Sequence, residues 1–449
     1  MIQMSAPKRT NVQMLLFDDE QNSSQFDENI TSSSTFINNM SLPIHRWFRY
    51  SAGFSAQWVE DTIRGTISSK SSSLLNEEKF VVLDPFVGSG TTLLATEQVG
   101  VNGVGFESHP LISRIASAKL LWNTDVGSFI DYANGILSFA KSHTKKLSQY
   151  PVIIQRCYDS DNLTMIDMLK YALSENANDS NEYHLSWLAF LSILRSTSHA
   201  GTAQWQYVLP NKSKTRVLSV YDAYKAQVEL MCADMLEFAS TASSIHSHLI
   251  QHDARRDFFD LENSVDMIIT SPPYANNYDY ADATRLEMCV LGEINGWGDL
   301  QQAVRPSLIR SCSQHVSKEK NQTFDFLSDP LLEPIRDEIF SVCTQLDEEK
   351  DSHGGKKNYH TMIALYFLDL AKVWINLRKM CKPNSDICFV IGDSAPYGIY
   401  VPVDEWLGKL ALAAGFNSYH FEKTRDRNIK WKNRKHRVPL KEGQLWIRG

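Results

Sequence analysis

The sequence predicts an α/β fold built around a mostly parallel β-sheet. Two apolar runs, residues 80–83 and 265–269, each lead directly into a turn rich in glycine or proline. Continuous apolar runs are typical of strands buried on both faces, and their alternation with helices favours a parallel sheet. Such sheets bind ligands at the carboxyl ends of their strands, so both turns are candidate functional sites.

The order of elements supports this fold class. After a helical pattern at 56–64, the chain reads strand, turn, helix, strand, helix, which is a βαβα start, and a mostly helical region then interrupts the sheet. The expected elements are strand 80–83, helix 91–100, strand 103–106, helix 111–122, helices within 125–245, strands 245–253 and 265–270, helix 360–380, strand 387–391, helix 403–414, and strands near 417–423 and 443–448.

Composition restricts the class of protein. The chain has 449 residues and 43% hydrophobic content, enough for a large core and for two or three domains or one domain with insertions. No apolar run approaches the ~20 residues that span a bilayer, and no signal pattern opens the sequence, so we expect a cytoplasmic, nucleoid-associated protein without membrane contact. The seven cysteines form no C-x-x-C pair, which predicts reduced thiols and no metal site. The net charge of −7 still permits a local basic patch.

The first turn, residues 84–92, reads Asp-Pro-Phe-Val-Gly-Ser-Gly-Thr-Thr. Gly88 and Gly90 lack Cβ atoms, so a bound ligand can approach the backbone closely. The turn lacks the G-x-G-x-x-G dinucleotide fingerprint, because Leu93 stands at the third glycine position. Glu107 follows the second strand, where a carboxylate can accept both protons of a ribose diol.

The second turn, Ser271-Pro272-Pro273-Tyr274, combines hydrogen-bond acceptors with a rigid backbone. Ser271 offers a side-chain oxygen, and Pro272 offers a carbonyl whose position the proline rings restrict. Tyr274 offers a flat face for stacking. The same tetrapeptide also occurs in proline-rich docking segments, but its place directly after an apolar strand favours a functional turn.

Together the two turns resemble motif I and motif IV of the S-adenosylmethionine-dependent DNA amino-methyltransferases, which methylate exocyclic amines of DNA bases. The resemblance spans roughly residues 44–122 and 245–449, with motif I before motif IV. It implies a Rossmann-like class I methyltransferase fold with a mostly parallel seven-stranded sheet and helical insertions. It also implies S-adenosyl-L-methionine as cofactor and double-stranded DNA as partner.

The resemblance assigns the cofactor-binding residues. In the family the glycine turn holds the methionine part of the cofactor, with the position of Asp84 near its amino group. Asp253 resembles the motif III acceptor for the adenine amino group, and residues 53–59 resemble motif X. A helix N-terminus that merely buries aromatic rings explains 53–59 nearly as well, with Ser55 as N-cap. The predicted cofactor residues are Phe54, Ser55, Asp84, Phe86, Gly88, Gly90, Thr91, Glu107 and Asp253.

The predicted catalytic residues are Ser271, Pro272, Pro273 and Tyr274. A serine in the first position is usual in cytosine-N4 methyltransferases, whereas aspartate or asparagine is usual in adenine-N6 enzymes, so N4-cytosine is favoured and N6-adenine stays open. Cytosine C5 chemistry needs a thiol nucleophile, and the chain contains no Pro-Cys dipeptide. An RNA amine methyltransferase and a non-catalytic DNA-binding subunit are the remaining alternatives.

Two regions are candidates for contacting DNA. Residues 423–437 contain eight Lys or Arg and one acid, and we expect Lys430, Lys432, Arg434 and Lys435 to contact phosphates. Gln204 and Trp205 carry groups that read base edges, and residues 305–320 compete for that role. Tyr278, Asp279 and Tyr280 are expected near the base pocket, and Asp282 and Glu287 in solvent.

The expected domain organisation follows from these assignments. Residues 1–40 are predicted to be a flexible arm, since they are rich in Ser, Asn and Gln. The catalytic domain comprises 41–124 and 246–449, with a second insertion at 295–355. The helical insertion 125–245 is the candidate for target recognition, and a cognate restriction endonuclease is a possible partner.

Overall fold

The computed structural model describes residues 36–50, 53–70, 80–202, 208–214, 216–427 and 438–449. Its centre is a seven-stranded sheet with the order β5-β2-β1-β6-β7-β9-β8. A separate two-stranded hairpin consists of β3 and β4. The strands are β1 (Val81–Asp84), β2 (Asn102–Phe106), β3 (Ala200–Thr202), β4 (Val208–Ser213), β5 (His248–Ile250), β6 (Val265–Thr270), β7 (Cys381–Gly392), β8 (Ser418–Arg427) and β9 (Leu440–Arg448).

The sheet is mostly parallel. Strands β5, β2, β1, β6 and β7 run in one direction, and β9 alone pairs antiparallel with both β7 and β8. The predicted fold class, a Rossmann-like class I methyltransferase fold, is therefore confirmed.

Helices cover the sheet and fill the regions between its strands. They are α1 (Ala56–Ser69), α2 (Thr91–Val99), α3 (Pro110–Lys119), α4 (Val126–Ser142), α5 (Val152–Gln155), α6 (Ser160–Glu175), α7 (Asn181–Ile193), α8 (Val220–Ala239), α9 (Arg285–Leu291), α10 (Leu300–Ala303), α11 (Thr323–Leu327), α12 (Arg336–Ser352), α13 (Tyr359–Met380) and α14 (Val403–Ala413). Among the described residues, no helix is long and apolar enough to cross a membrane.

The strand order reverses between β1 and β6. From β1 the chain continues to β2 and β5 on one side, and it then returns to place β6 on the other side of β1. A crevice forms at such a switch point, outside the carboxyl ends of the two strands. The glycine turn follows β1 and the Ser-Pro-Pro-Tyr turn follows β6, so the fold brings the two motifs to the same crevice.

Helices α4 to α8 and the β3–β4 hairpin lie between α3 and β5, and the two ends of this region meet. Asn123 Nδ2 lies 3.3 Å from His246 Nε2. The region also holds the chain's amino-terminal segment, because the Asp234 carboxylate on α8 accepts the backbone N–H of Ile44 and the indole N–H of Trp47. Arg46 adds an ion pair to the same carboxylate.

The amino-terminal segment becomes structured earlier than the sequence predicts. Residues Phe36–Ser41 form a 3-10 helix, and the buried Asn39 side chain donates to Phe54 O and accepts from Ala56 N, both at 2.9 Å. Residues 1–35 lie outside the described part of the chain.

The expected solvent exposure of Glu287 is wrong. This residue is fully buried and forms an ion pair with Arg195, in which Arg195 Nε lies 2.6 Å from Glu287 Oε1.

Candidate active site

A cleft opens where β1, β2 and β6 end. Phe86 and Gly88 line it from the glycine turn, Glu107 lines it from the end of β2, and Ser271 and Pro273 line it from the turn after β6. Asp253 lines it as well, so six predicted site residues from four separate stretches of sequence share one cavity.

The glycine turn adopts the conformation for which glycine is suited. Gly88 has φ 55° and Gly90 has φ 98°, both in the left-handed region where a side chain is strained. Gly90 is the N-cap of α2, and the buried Thr91 is its first residue. The backbone N–H of Val87 donates to Phe106 O at 3.0 Å, which ties the turn to the end of β2.

Asp84 lies beneath the turn and links β1 to its neighbours. Its oxygens accept the hydroxyls of Thr92 and Thr270, each at 2.5 Å, and the Phe86 N–H at 2.9 Å. Burial raises the pKa of this carboxyl to about 6, although the three hydrogen bonds oppose the rise. Asp84 is not among the residues that line the cleft, and its hydrogen bonds to Phe86 and Thr92 hold the turn, so its contact with the cofactor stays a prediction.

Glu107 faces the cleft and holds the turn from the other side. Its Oε2 accepts the Gly88 N–H at 2.8 Å, and its Oε1 accepts the His109 N–H at 2.7 Å. Burial raises the pKa of this carboxyl to about 7, and the nearby Asp84 charge adds to the rise. A carboxylate at this place has lone pairs for ligand hydroxyls and titrates near neutral pH.

The Ser-Pro-Pro-Tyr corner is fixed by neutral groups. Tyr366 on α13 donates its hydroxyl to Pro273 O at 3.0 Å. Tyr274 O accepts the Asn276 N–H at 2.7 Å, and Ala275 O accepts the Ser394 hydroxyl. The Pro272 carbonyl, by contrast, accepts no hydrogen bond from the described residues.

Tyr274 is packed between the corner and the end of β7. Its backbone N–H reaches the Tyr280 hydroxyl at 3.4 Å, and the Arg427 guanidinium lies 5.4 Å from its ring centroid. Arg427 also donates to Asp393 O at 3.0 Å. Burial raises the pKa of the Tyr274 phenol, while Arg427 and the nearby Ser271 side chain oppose the rise.

Asp253 lines the cleft, but an arginine already occupies its carboxylate. Arg255 donates to both oxygens of Asp253, with Nη2 to Oδ2 at 2.7 Å. The same guanidinium bonds Asp369 on α13 and Pro306 O, and Arg310 also pairs with Asp369. This network fixes the segment that carries Ser307, Leu308 and Ile309 to the wall of the cleft.

The structure does not bring Phe54 and Ser55 to the cleft. Phe54 is buried in a core cluster and packs edge-on against Trp58, with ring centroids 5.6 Å apart. Ser55 is the N-cap of α1 and accepts the Trp58 N–H at 3.4 Å. Tyr50 lines the cleft instead, a few residues upstream.

Several residues of the cleft wall were not predicted as cofactor-binding or catalytic residues. Among them are Tyr50, His109 and the segment 307–309. His109 is the N-cap of α3, and its ring lies 2.9 Å from the Thr284 hydroxyl. Burial lowers the pKa of His109 to about 4, so the ring is neutral at pH 7. His109 could have been predicted from the sequence, because it follows the expected ribose-binding residue Glu107 by two positions.

All six predicted DNA-contacting residues lie outside the described part of the chain: Gln204, Trp205, Lys430, Lys432, Arg434 and Lys435. Their neighbours are described. The β3–β4 hairpin flanks the first two, and Arg156 hydrogen-bonds Asn211 on β4. Strand β8 ends at Arg427, directly before the basic run.

Comparison with known proteins agrees with this geometry. A family model described as "DNA methylase" (N6_N4_Mtase) matches residues 18–118, which include the glycine turn. Type II methyltransferase M.BsoBI of Geobacillus stearothermophilus is 26% identical over 424 residues, covering 84% of this chain and 79% of that protein. Type II methyltransferase M.AvaI of Nostoc sp. (strain PCC 7120) is 25% identical over 411 residues, covering 85% and 81%.

The similarity to these relatives extends well beyond the glycine turn, over more than four fifths of the chain. The sheet order, the two motifs at one crevice and the family match point to the same class of protein. Together they support an amino-methyltransferase of the DNA methylase class.

Proposed function

We propose that this DNA methyltransferase transfers a methyl group from S-adenosyl-L-methionine to the exocyclic N4 of a flipped cytosine in duplex DNA. The observation that carries the proposal is that Ser271 lines a cleft suited to the cofactor and is followed by Pro272, whose carbonyl accepts no hydrogen bond from the part of the chain that the structure describes. By analogy with relatives named Type II methyltransferases, we further propose that it modifies the recognition site of a restriction endonuclease.

The residues of the cleft fit the proposed cofactor. Glu107 presents a carboxylate that can accept hydrogen bonds from ribose hydroxyls. Gly88 has a positive φ and no side chain, so the turn can approach the ligand closely. Asp84 holds that turn from below, and Asp253 and Phe86 also line the cleft. When bound, the cofactor supplies an electrophilic methyl group on a sulfonium.

The corner supplies acceptors for the amine. An exocyclic amine is a poor nucleophile because its lone pair is delocalised into the ring. Acceptors that bind its two protons favour a pyramidal nitrogen with an available lone pair. The Pro272 carbonyl and the Ser271 hydroxyl are suited to this, while the neighbouring carbonyls of Pro273, Tyr274 and Ala275 are occupied by other donors.

The target base has to leave the duplex to reach this corner, as for other enzymes that act on base atoms. Tyr274 offers a ring for stacking, and Arg427 is placed to contact the base or the backbone near it. The β3–β4 hairpin has the form of a two-stranded ribbon that the major groove admits, which supports a role for the helical insertion in recognition.

The identity of residue 271 supports cytosine over adenine. A carboxylate or amide at this position is usual in adenine-N6 enzymes, and this chain has a serine. Methylation leaves the amine nitrogen positively charged, and its proton then leaves directly to solvent, because the Ser271 hydroxyl can accept a hydrogen bond but residues 271–274 contain no carboxylate to take up the proton.

The test is methyl transfer from a labelled cofactor. Purified protein is incubated with DNA of mixed sequence and, separately, with RNA, and the products are digested and separated as nucleosides. We expect label only in N4-methylcytosine from DNA, and none with Ser271→Ala above roughly one hundredth of the wild-type rate. Label in N6-methyladenine would contradict the assignment of cytosine as the target base. Label in RNA would contradict DNA as the substrate, and the absence of any label would contradict catalysis by this protein.

A further inference from the structure

A buried cluster of three potential metal ligands lies behind the corner, outside the cleft. Asp279, Cys312 and His315 each place one ligand atom within 4.8 Å of the other two. Their relative exposures are 6%, 0% and 4%, so solvent does not satisfy these groups. A carboxylate, a thiol and an imidazole together form a donor set that zinc and similar divalent ions bind.

The histidine is the member that ordinary packing leaves unexplained. Its Nε2 lies 3.7 Å from Asp279 Oδ1, close enough for an ion pair but too far for a hydrogen bond, and neither ring nitrogen has a hydrogen-bond partner among the described residues. Burying polar nitrogens without partners is unfavourable by about 1–3 kcal/mol per group. Coordination of Nε2 to a metal ion would remove this cost for the nitrogen that lies near Asp279.

The other contacts of the cluster are compatible with an ion. Arg305 bonds the Oδ2 atom of Asp279 at 2.6 Å, whereas the Oδ1 atom faces His315. Oδ1 also accepts the Asp282 N–H at 3.3 Å.

We propose that Asp279, Cys312 and His315 form a structural binding site for a divalent metal ion of the zinc type. The metal–sulfur bond replaces the S–H bond of Cys312, and the proton leaves to solvent, so one proton is released per ion bound. This proposal departs from the sequence-based expectation of no metal site. That expectation depended on the absence of C-x-x-C pairs, whereas Cys312 and His315 have a C-x-x-H spacing.

The position of the site gives it a structural purpose. Asn277, three residues after Tyr274, accepts the Ser313 N–H at 2.8 Å and donates its own N–H to Ser311 O at 3.1 Å. An ion shared by Asp279, Cys312 and His315 would join the same two segments. It would therefore hold residues 305–315, which carry part of the cleft wall, against the segment that follows the catalytic corner.

The experiment uses the full-length protein, purified without chelators. Bound metal is measured by elemental mass spectrometry, and the apo protein is then titrated with Co²⁺. We expect about one ion per chain, and a cobalt spectrum with the visible bands of tetrahedral coordination plus a thiolate charge-transfer band. Cys312→Ser should lose the charge-transfer band, and His315→Ala should lose at least tenfold in cobalt affinity.

Cys289→Ser is the matched control, because Cys289 is equally buried but outside the cluster. It should keep both the metal and the spectrum. Absence of stoichiometric metal together with absence of a cobalt spectrum in the wild-type protein would overturn the proposal. A cobalt spectrum that is unchanged in Cys312→Ser would also overturn the proposal. If a variant fails to fold, the metal content and cobalt spectrum of the wild-type protein alone decide the question.

Discussion

The two strand ends that border the cleft are held by different chemistry. After β1, the buried carboxylates of Asp84 and Glu107 bind the glycine turn, and the pKa values of about 6 and about 7 place both near neutrality. After β6, neutral hydroxyls from Tyr366 and Ser394 hold the corner. The cofactor side should therefore respond to pH, whereas the catalytic side keeps its shape across the same range.

This difference matches the tasks proposed for the two turns. A turn that must grip a charged, hydroxyl-rich ligand gains from carboxylates, which are strong acceptors. A corner that must accept amine protons only while charge develops gains from rigid neutral acceptors, which do not retain the proton. Five experiments would break or sharpen this contrast.

The largest effect is expected from Gly88→Val. A branched side chain at φ 55° strains the turn and occupies the space where the backbone should meet the cofactor. We expect cofactor binding below detection in calorimetric titration, with unchanged circular dichroism. Gly135→Val is the control, because that glycine lies on α4 with open space around it. Unchanged cofactor affinity in Gly88→Val would mean that the turn is purely structural.

Ser271→Ala should come next. It removes one acceptor for the amine but leaves the prolines and Tyr274 in place, so we expect turnover to fall roughly 100- to 1000-fold. Cofactor and DNA affinities should change little. Single-turnover kinetics measures the chemical step, with Ser311→Ala, a fully buried serine outside the cleft, as control. Wild-type turnover in Ser271→Ala would remove the corner from the mechanism.

Glu107 should control how the cofactor-free protein responds to pH. Its pKa is raised from near 4.5 to about 7, so below pH 4.5 it is protonated in both the folded and unfolded states. As pH rises to about 7, the unfolded chain ionises first, and a stabilisation on the order of 3 kcal/mol is lost. Thermal melts from pH 4.5 to 8 should show this decline in the wild type and a shallower one in Glu107→Gln. Equal slopes would show that Glu107 is not the titrating group.

Cofactor affinity should change in the opposite direction over the same range. The ionised carboxylate is the better acceptor for ribose hydroxyls, so affinity should rise as pH passes about 7. Glu107→Gln should bind more weakly and without that pH dependence.

The smallest effect is expected from Tyr366→Phe. The change keeps the buried ring and removes only the hydroxyl that fixes the Pro273 carbonyl, a net loss of about 0.5–1.5 kcal/mol. If this free energy is lost from the positioning of the corner in the transition state, turnover decreases up to about tenfold and cofactor affinity is unaltered. Tyr224→Phe, an equally buried tyrosine in the helical insertion, should have wild-type turnover. A loss of cofactor affinity in Tyr366→Phe would contradict the separation of the two turns.

The sequence allowed the sheet and its two turns to be predicted because their signals are local. An apolar run followed by Gly88 and Gly90, or by Pro272 and Pro273, indicates the end of a strand, even when the neighbouring strands in the sheet are unknown. Tyr50 and the segment 307–309 could not be found in this way, since only the folded chain brings them to the cleft. Asp253 is an intermediate case, because its place was predicted but not its pairing with Arg255.

Charged residues were the weakest part of the prediction. Glu287 reads as a solvated helix residue, yet Arg195, 92 positions earlier, neutralises it in the interior. The sign and spacing of nearby residues give no hint of a partner so distant in sequence. The catalytic roles assigned to residues 271–274 stay predictions until the variants are measured.

The meeting of Asn123 with His246 has a consequence for evolution. A segment whose two ends touch can be shortened, extended or exchanged without moving the strands on either side. If the helical insertion reads DNA, new target sequences could arise by replacing it as a cassette while the methyl-transferring core is inherited intact. Asp234 sets the condition for such an exchange, because any replacement has to supply an acceptor for Ile44 and Trp47.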